Sequence, residues 1–248
     1  MQNNMTDAYG NALMDFFLGK EDRYAIERED GYLDIGHLAT YFQEYEKWGD
    51  LEKRMPEFVQ GRVLDVGCGA GRHALHLQSL GFEVVATDKS PLGIEVCKKR
   101  GVKNAVAVSI DDLVEMADPA LGVFDTIIMM GHNIGLLHDF EQGRKILSRL
   151  AQMTSPTARI IGTTRDIRGT DKLHHLAYQK WNVERRRMPG QIKFRIRHEM
   201  FASDWMDYLF VSEEELRDMA SDTGWRLDST VSGDGGFGGT SYLAVLCK

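Results

Sequence analysis

Short apolar runs alternate with amphipathic stretches between about residue 61 and residue 163, and this alternation restricts the fold more than any other feature. Five runs have the length and composition of buried strands: 62–66, 83–87, 105–109, 126–130 and 159–163. Three stretches have helical periodicity: 71–80, 91–100 and 140–153. Strands that alternate with helices at this spacing indicate βαβ units, and right-handed crossovers place the helices on both faces of a parallel sheet.

The alternation stops between about residues 165 and 210. Strand-like runs at 183–188 and 192–198 flank Pro189-Gly190, which is a turn signal. We therefore expect an antiparallel segment, over about 165–210, inserted after the fifth strand.

The last part of the chain returns to the earlier pattern. Ser212 followed by Glu215 matches a capping box and predicts a helix to about residue 222. Two final strands, 226–231 and 241–247, are joined by the glycine-rich segment 233–239. The expected fold is α/β and doubly wound, with a mostly parallel seven-stranded sheet and an antiparallel ending.

Residues 1–58 differ from the rest because they combine aromatic residues with many charges and lack short β-branched runs. We expect an N-terminal helical cap over 1–58, followed by a main domain over 59–248. The aromatic residues around Tyr41 and Trp48 either close over a pocket as a lid or form the core of a docked helix.

Composition excludes several classes of protein. The formal net charge of −7 argues against a nucleic-acid partner, because phosphate binding relies on basic surfaces. The three cysteines have no metal-like spacing, and with the histidines they predict no metal site. The sequence shows neither a signal peptide nor an apolar run long enough for a membrane span, so we expect a cytoplasmic protein without a membrane partner.

The most informative motif is the run 63–71, Val-Leu-Asp-Val-Gly-Cys-Gly-Ala-Gly, where the first strand turns into the first helix. Glycines let the backbone approach a ligand at the carboxyl ends of the strands. Arg72 stands where a dinucleotide-binding fingerprint requires Gly or Ala, which argues against a nicotinamide dehydrogenase, and the spacing is not that of a P-loop.

Acidic residues follow the second and third strands. Asp88 ends the second strand, where a carboxylate can accept hydrogen bonds from both hydroxyls of a ribose, although it could instead cap the helix that begins near Pro91. After the third strand, the run 109–112 offers a backbone N–H and a carboxylate that could bind the edge of adenine. One of Asp111 and Asp112 caps the following helix, and the sequence does not distinguish them. Together these features describe an adenosine pocket without a dedicated phosphate site.

Residues 61–163 resemble the Rossmann-like, class I S-adenosylmethionine-dependent methyltransferases, and 67–75 are similar to a bacterial subgroup presumed to modify small molecules. In that family the glycine loop passes under the methionine part of the cofactor, the acid after the second strand holds the ribose, and the residues after the third strand face adenine. The resemblance implies S-adenosylmethionine as the cofactor. The implied cofactor site is Asp65, Gly67, Cys68, Gly69, Gly71, Asp88, Ile110, Asp111 and Asn133. Cys68 is interpreted as a small filler and not as a nucleophile.

The segment after the fourth strand is where the reacting group is expected. His132 is a candidate base or substrate ligand, because imidazole titrates near neutral pH, or else it makes a structural hydrogen bond. Asn133 either holds the methionine part of the cofactor or orients the substrate. The motifs of the exocyclic-amine and cytosine-ring enzymes are absent there, which further disfavours nucleic acid.

Three cations, Lys193, Arg195 and Arg197, alternate with apolar residues in the inserted segment. A basic strand face beside the site would suit an anionic small substrate, and the alternative is a solvated outer face.

The sequence predicts an enzyme that transfers a methyl group from S-adenosylmethionine to an O or N atom of a small molecule. The alternatives are a non-catalytic module that binds the cofactor or its demethylated product, and a protein or RNA methyltransferase.

Overall fold

The computed structural model describes residues 4–116, 121–234 and 239–248. In chain order its elements are α1 Ala8–Phe17, β1 Arg23–Arg28, β2 Leu33–His37, α2 Asp50–Arg54, β3 Val63–Val66, α3 Arg72–Ser79, β4 Val84–Asp88, α4 Pro91–Arg100, β5 Asn104–Ala107, α5 Ile110–Met116, β6 Phe124–Met129, α6 Phe140–Gln152, β7 Thr154–Asp166, α7 Leu173–Glu184, β8 Gln191–His198, β9 Phe201–Ala202, β10 Met206–Leu209, α8 Glu213–Ala220, β11 Arg226–Asp234 and β12 Thr240–Cys247. Short 3-10 helices connect several of them.

The main sheet has seven strands in the order β11-β12-β7-β6-β3-β4-β5. Strands β3 to β7 pair in parallel, and β12 is antiparallel to both β7 and β11. This confirms the predicted doubly wound, seven-stranded α/β fold with an antiparallel ending. The segment 233–239 does connect the last two strands, but part of it lies outside the described residues.

Helices cover both faces of the main sheet. One apolar cluster joins the sheet to α5, α6 and α8 through residues such as Leu113, Ile146 and Leu216. A second cluster joins the other face to α3 and α4 through Leu77 and Ile94. Because buried apolar area is the main favourable term in folding, these two layers account for most of the stability of the domain.

The helix ends follow local sequence signals. The Ser212–Glu215 capping box forms as predicted, with Ser212 N donating to Glu215 Oε2 at 2.8 Å, and α8 ends at Ala220. The helix α4 begins after Ser90, whose hydroxyl accepts from Gly93 N at 2.9 Å, and Pro91 occupies its first turn. No helix in the described part of the chain is both long and apolar enough to cross a bilayer.

A second, antiparallel sheet lies beside the main one, and we call it the cap sheet. It contains β1 and β2 from the N-terminal segment and β8, β9 and β10 from the insertion, in the order β10-β8-β1-β2 with β9 on β8. Beneath it, α1 packs on α4 and β8 in a third apolar cluster that includes Leu13, Tyr24 and Ile196. The N-terminal segment and the insertion therefore form one structure.

Two details of the sequence prediction are wrong. The segment 1–58 is helical only in part, because β1 and β2 form a hairpin there; Asp30-Gly31 supplies its turn, with Gly31 at φ +87° and Arg28 N donating to Tyr32 O at 2.9 Å. The run 183–188 is not a strand. Helix α7 continues to Glu184, and the Arg185 guanidinium stacks 3.5 Å over the Trp181 ring at its end.

The hairpin turn provides a test of the cap sheet. Gly31→Ala places a Cβ at positive φ in open space, so it should cost about 1 kcal/mol of unfolding free energy through backbone strain alone. The matched control is Gly169→Ala, where φ is not positive and an added Cβ meets nothing closer than 3.8 Å. Urea unfolding measures both. Equal stability of the two variants would contradict the hairpin.

Candidate functional site

The glycine loop connects β3 to α3 at the carboxyl end of the main sheet. Gly67 N and Cys68 N both donate to Thr87 O, at 2.8 and 2.9 Å, which ties the loop to the neighbouring strand β4. Gly67 and Gly69 have φ of +72° and +55°, a region that favours glycine. The loop backbone therefore curves over the strand ends in a conformation that favours glycine at both positions.

Asp88 ends β4 and is buried beside this loop. Its Oδ2 accepts from Gly69 N and its Oδ1 from Ser90 N, both at 2.9 Å. Ser90, and not Asp88, caps α4. An ionised carboxylate has about four lone-pair sites, so these two bonds leave Asp88 able to accept two more. Burial raises the pKa of Asp88 despite the two backbone donors.

Asp65 lies on β3, beneath the glycine loop, and its side chain is almost completely buried. Its Oδ2 has no hydrogen-bond partner among the described residues. Burial, together with the nearby charge of Asp88, raises the pKa of Asp65 to about 7. A buried acceptor without a donor is costly, and the cost falls when a positively charged donor binds there.

Asn133 holds the glycine loop from the other side. Its Nδ2 donates to Val66 O at 3.1 Å and to Gly67 O at 2.8 Å. A Cβ on Gly67 would lie 2.5 Å from this nitrogen, so the loop needs glycine at that position for Asn133 to reach it. The structure places Asn133 next to the predicted cofactor residues, with its amide N–H groups occupied by the loop backbone.

The residues that follow β5 have different surroundings at the start of α5. Ile110 is buried at the start of α5, while Asp111 faces solvent. Ser109 Oγ accepts from Asp112 N at 3.1 Å and donates to Asp112 Oδ2 at 2.7 Å, so Ser109 caps α5 and the prediction that Asp111 or Asp112 does so is wrong. Asp111 instead pairs with His138, whose Nε2 lies 3.0 Å from Asp111 Oδ2.

Three tyrosines from the N-terminal segment cover the loop. A Cβ on Gly69 would lie 3.0 Å from the Tyr9 hydroxyl and 3.7 Å from the Tyr41 ring. Tyr41 Oη and Tyr24 Oη are 2.7 Å apart, and the Tyr9 ring packs edge-on against both other rings. Burial raises the pKa of Tyr9 and of Tyr24 well above 10, so both hydroxyls keep their protons.

Tyr41 and Trp48, for which the sequence left a lid or a docked core open, have different positions. Tyr41 lies over the glycine loop, whereas Trp48 is buried against His73 and His76 of α3. Trp48 is part of a docked core.

Tyr208 on β10 and Phe210 just after it form an aromatic wall, which faces the segment that follows β6. Tyr208 Oη donates to His132 O at 2.6 Å, and the Phe210 ring packs edge-on against both the Tyr208 and the His132 rings. The Arg165 guanidinium lies 5.7 Å over the Phe210 ring. Tyr208, Phe210, His132 and Arg165 are all partly accessible to solvent, and we call the place where these four residues meet the cleft.

His132 sits at this wall in a left-handed backbone conformation with φ +69°. Its N donates to Thr163 Oγ1 at 2.8 Å, while its buried Nδ1 has no partner in the described part of the chain. Burial, and to a smaller extent the Arg165 charge, lowers the pKa of His132 to about 4. The imidazole is therefore neutral at neutral pH.

The basic strand face predicted near the site lies elsewhere. Phe194 and Ile196 of β8 pack inward on α1, so the alternating cations point outward. Arg195 and Arg197 both pair with Glu27, and Lys193 lies 3.8 Å from Asp207. These three residues therefore form a solvated outer face, which was the alternative interpretation. The cation at the cleft is Arg165 of β7.

The cysteine of the glycine loop is a core residue. Cys68 is buried in the loop with its Sγ 3.7 Å from Cys97 Sγ, in contact with other core side chains. Within residues 4–116, 121–234 and 239–248, no three His, Cys, Asp or Glu side chains converge as a metal site requires.

Sequence reasoning missed Tyr9, Arg165, Tyr208 and Phe210. They lie 50 to 150 positions from the glycine loop in the chain, on α1, β7 and the end of the insertion. Docking of the cap sheet brings Tyr208 and Phe210 to His132. No local pattern marks them.

Comparison with known proteins agrees with this geometry. A family model described as a methyltransferase domain matches residues 63–157. A solved S-adenosylmethionine-dependent methyltransferase from Bacteroides fragilis, determined in complex with S-adenosyl-L-homocysteine, is 28% identical and superposes with a TM-score of 0.80. That match covers 99% of this chain and 96% of the other.

Curated relatives match over shorter segments. Magnesium-protoporphyrin O-methyltransferase of Rhodobacter capsulatus is 41% identical over 81 residues, and the mitochondrial ubiquinone biosynthesis O-methyltransferase of Schizosaccharomyces pombe is 33% identical over 111. The matches cover 31% and 43% of this chain, and only 35% and 39% of those relatives. Together with the full-length structural match, the family model shows that residues 63–157 form a methyltransferase domain, within a chain that has the fold of an S-adenosylmethionine-dependent methyltransferase.

Proposed function

We propose that this protein transfers the methyl group of S-adenosylmethionine to an O or N atom of a small molecule. The observation that supports the proposal most strongly is the contact between the glycine loop and the Asp88 carboxylate, which meet at the ends of two adjacent parallel strands. In open α/β sheets, ligands bind at this edge.

The residues fit the cofactor part by part. The two remaining acceptor positions of Asp88 suit the ribose hydroxyls. Ile110 N–H and the Asp111 carboxylate suit the edge and the amine of adenine. The unpartnered Asp65 Oδ2 suits the α-ammonium group of the methionine part, directly or through water. We assign the cofactor site to these residues and to the loop residues Gly67, Cys68, Gly69 and Gly71, with Asn133 holding the loop in place.

Methyl transfer from a sulfonium requires few catalytic groups from the protein. S-adenosylmethionine, when bound, supplies a sulfonium methyl group that is already electrophilic. The chain must orient the acceptor in line with that methyl, and orientation of this kind can contribute roughly 7 to 11 kcal/mol. Tyr9 and Tyr41 cover the glycine loop and exclude water from it, and the wall formed by Tyr208 and Phe210 stacks a flat acceptor.

His132 and Arg165 suggest which acceptors fit. With its pKa near 4, His132 is a poor general base at neutral pH, so we assign it the role of a neutral hydrogen-bond partner. Arg165, at the same wall, would stabilise an acceptor that has already lost its proton. Acidic O–H or N–H groups on aromatic molecules meet this requirement, and the two curated relatives named as O-methyltransferases favour oxygen.

The alternatives make different demands. A non-catalytic module would bind the cofactor without ever consuming it, and a screen of aromatic acceptors with methyl-labelled S-adenosylmethionine separates it from an enzyme. A protein or RNA methyltransferase needs a broad recognition surface. The net charge of −7 and the paired cations of β8 provide no basic groove for RNA.

Cofactor binding is expected to depend on Asp88. Titration with S-adenosylmethionine or S-adenosylhomocysteine should show micromolar binding, and ligand at about 100 times its dissociation constant should add about 2.7 kcal/mol of stability. Asp88→Ala should abolish binding, and Asp88→Asn should weaken it while keeping the loop contacts partly intact. NAD should not bind.

The matched control is Asp166→Ala, which removes an acid at the end of β7 that pairs with Arg168 on the surface. It should bind like the wild type. A folded wild-type sample that binds neither sulfur ligand would contradict the proposed function.

Protons should be released when the cofactor binds. Because the Asp65 pKa is near 7 in the free protein, a nearby ammonium group should lower it and release about half a proton at pH 7. Affinity should therefore rise with pH between 5.5 and 7, as the ionised carboxylate becomes available. Calorimetry in two buffers of different ionisation enthalpy measures this release. Asp65→Asn should remove it, and buffer-independent heat in the wild type would contradict the assignment of Asp65.

A further inference from the structure

His138 lies between the adenine end of the proposed cofactor site and the cap sheet. Its Nε2 is 3.0 and 3.1 Å from the two carboxylate oxygens of Asp111. Its Nδ1 is 2.9 Å from the backbone O of Asp207 on β10. One imidazole therefore connects α5, the segment after β6, and the cap sheet.

Both partners of this ring are acceptors. A backbone carbonyl has no proton to donate, and neither has an ionised carboxylate. A neutral imidazole carries one N–H and can make only one of the two bonds, whereas the doubly protonated ring makes both. Only the doubly protonated ring can therefore make both contacts at once.

The backbone of His138 is strained in order to reach these partners. Its φ and ψ are +64° and −65°, and Asp139 N donates to Leu137 O at 2.8 Å across it, so His138 is the central residue of a tight γ-turn. Residues other than glycine seldom adopt this conformation, and it persists where surrounding contacts hold it. The two contacts of the ring provide that hold.

The strand β10 fixes both ends of the segment 131–138. Tyr208 Oη donates to His132 O at 2.6 Å at the start, and Asp207 O accepts from His138 at the end. Because Tyr208 and Asp207 are adjacent in the chain, a movement of β10 would reach the reacting end and the adenine end of the site together.

We propose that His138 is a positioning residue for cofactor recognition, which in its doubly protonated form holds the Asp111 carboxylate against β10 so that it can accept from the adenine amine. The assignment rests on the proposed function. The contact with Nε2 shares one N–H between two oxygens, which leaves lone pairs on Asp111 for the ligand. Asp111 remains about half exposed in this arrangement, so a ligand can reach it.

Several charges face the ring from the elements around it. Asp111 lies on α5, and the ammonium group of Lys89, after β4, is near enough to interact with the Asp111 carboxylate. On β10 the Asp207 side chain points to Lys193 at 3.8 Å, and Asp139 caps α6 by accepting from Gln142 N. With carboxylates predominant, the positive form of His138 is the one that holds Asp111. As pH rises and the ring loses a proton, the contribution of His138 to binding should decrease.

The test measures the dissociation constant of S-adenosylhomocysteine for the wild type, His138→Asn and His138→Gly at pH 6 and pH 8.5. Asparagine tolerates positive φ but cannot span both partners, and glycine relieves the strain of the turn. Each dissociation constant is also measured for S-inosylhomocysteine, which lacks the exocyclic amine. His37→Asn is the matched control, because it removes a surface histidine that also faces a carboxylate, Asp22, at 3.5 Å.

At pH 6 both His138 variants should bind S-adenosylhomocysteine about tenfold more weakly than the wild type, a loss typical of a charged hydrogen bond. At pH 8.5 the ratio of variant to wild type should fall below about threefold, and taking this ratio removes the separate pH effect of Asp65. For the inosine ligand the ratio should stay near one at both values of pH. His138→Gly should melt no lower than the wild type, and His37→Asn should bind both ligands normally.

An equal loss for both ligands would assign His138 a purely structural role and overturn the proposal, as would variants that bind like the wild type at pH 6. If the wild type bound neither ligand, the proposed function itself would fail, and this assignment with it. Loss of binding confined to the amine-bearing ligand at low pH would support it.

Discussion

The two hydrogen bonds that Asp88 accepts, from Gly69 N in the glycine loop and from Ser90 N at the start of α4, are the interaction on which the rest of the site depends. They place a buried carboxylate at the junction of two strands and fix the loop above it. A buried carboxylate is costly unless it is well bonded, and its raised pKa shows that the cost is only partly offset. The same holds for Asp65 directly beneath the loop. The edge of the sheet is therefore arranged for a ligand that donates hydrogen bonds and carries positive charge.

The cap sheet completes this edge with residues that are distant in sequence. Strand β1 inserts between β2 and β8, which brings Tyr24 next to Tyr41 and places α1, with Tyr9, over Gly69. From the other end of the cap sheet, β10 reaches His132 and His138. The proposed cofactor edge is formed by the parallel sheet, and the cap sheet supplies Tyr208 to the cleft beside it.

The sequence predicted the main sheet well because buried parallel strands are continuous apolar runs. The positions of Asp65 and Asp88 at the carboxyl ends of β3 and β4 follow from the predicted bounds of these strands. It failed for β1, whose sequence Arg-Tyr-Ala-Ile-Glu-Arg mixes charges with apolar residues and becomes a strand through pairing with β8, about 170 positions away. The prediction for 183–188 was wrong in the opposite sense, because these residues were expected to form a strand. The run instead begins with the end of α7, where Arg185 stacks on Trp181. Tyr208 was beyond reach because its position depends on how the cap sheet docks, and Arg165 because no motif marks it near the end of β7. For the three cations on β8 the sequence left two interpretations open, and the solvated outer face is the one that the structure shows.

The most direct measurement is a crystal structure of the protein with S-adenosylhomocysteine. We expect both ribose hydroxyls to donate to Asp88, and the homocysteine ammonium to lie within hydrogen-bond reach of Asp65 or of a water bound to it. The adenine amine should face Asp111, with His138 still in place. The sulfur should point toward the cleft between His132 and Tyr208. A nucleoside bound away from Asp88, or a sulfur directed away from that cleft, would contradict the account.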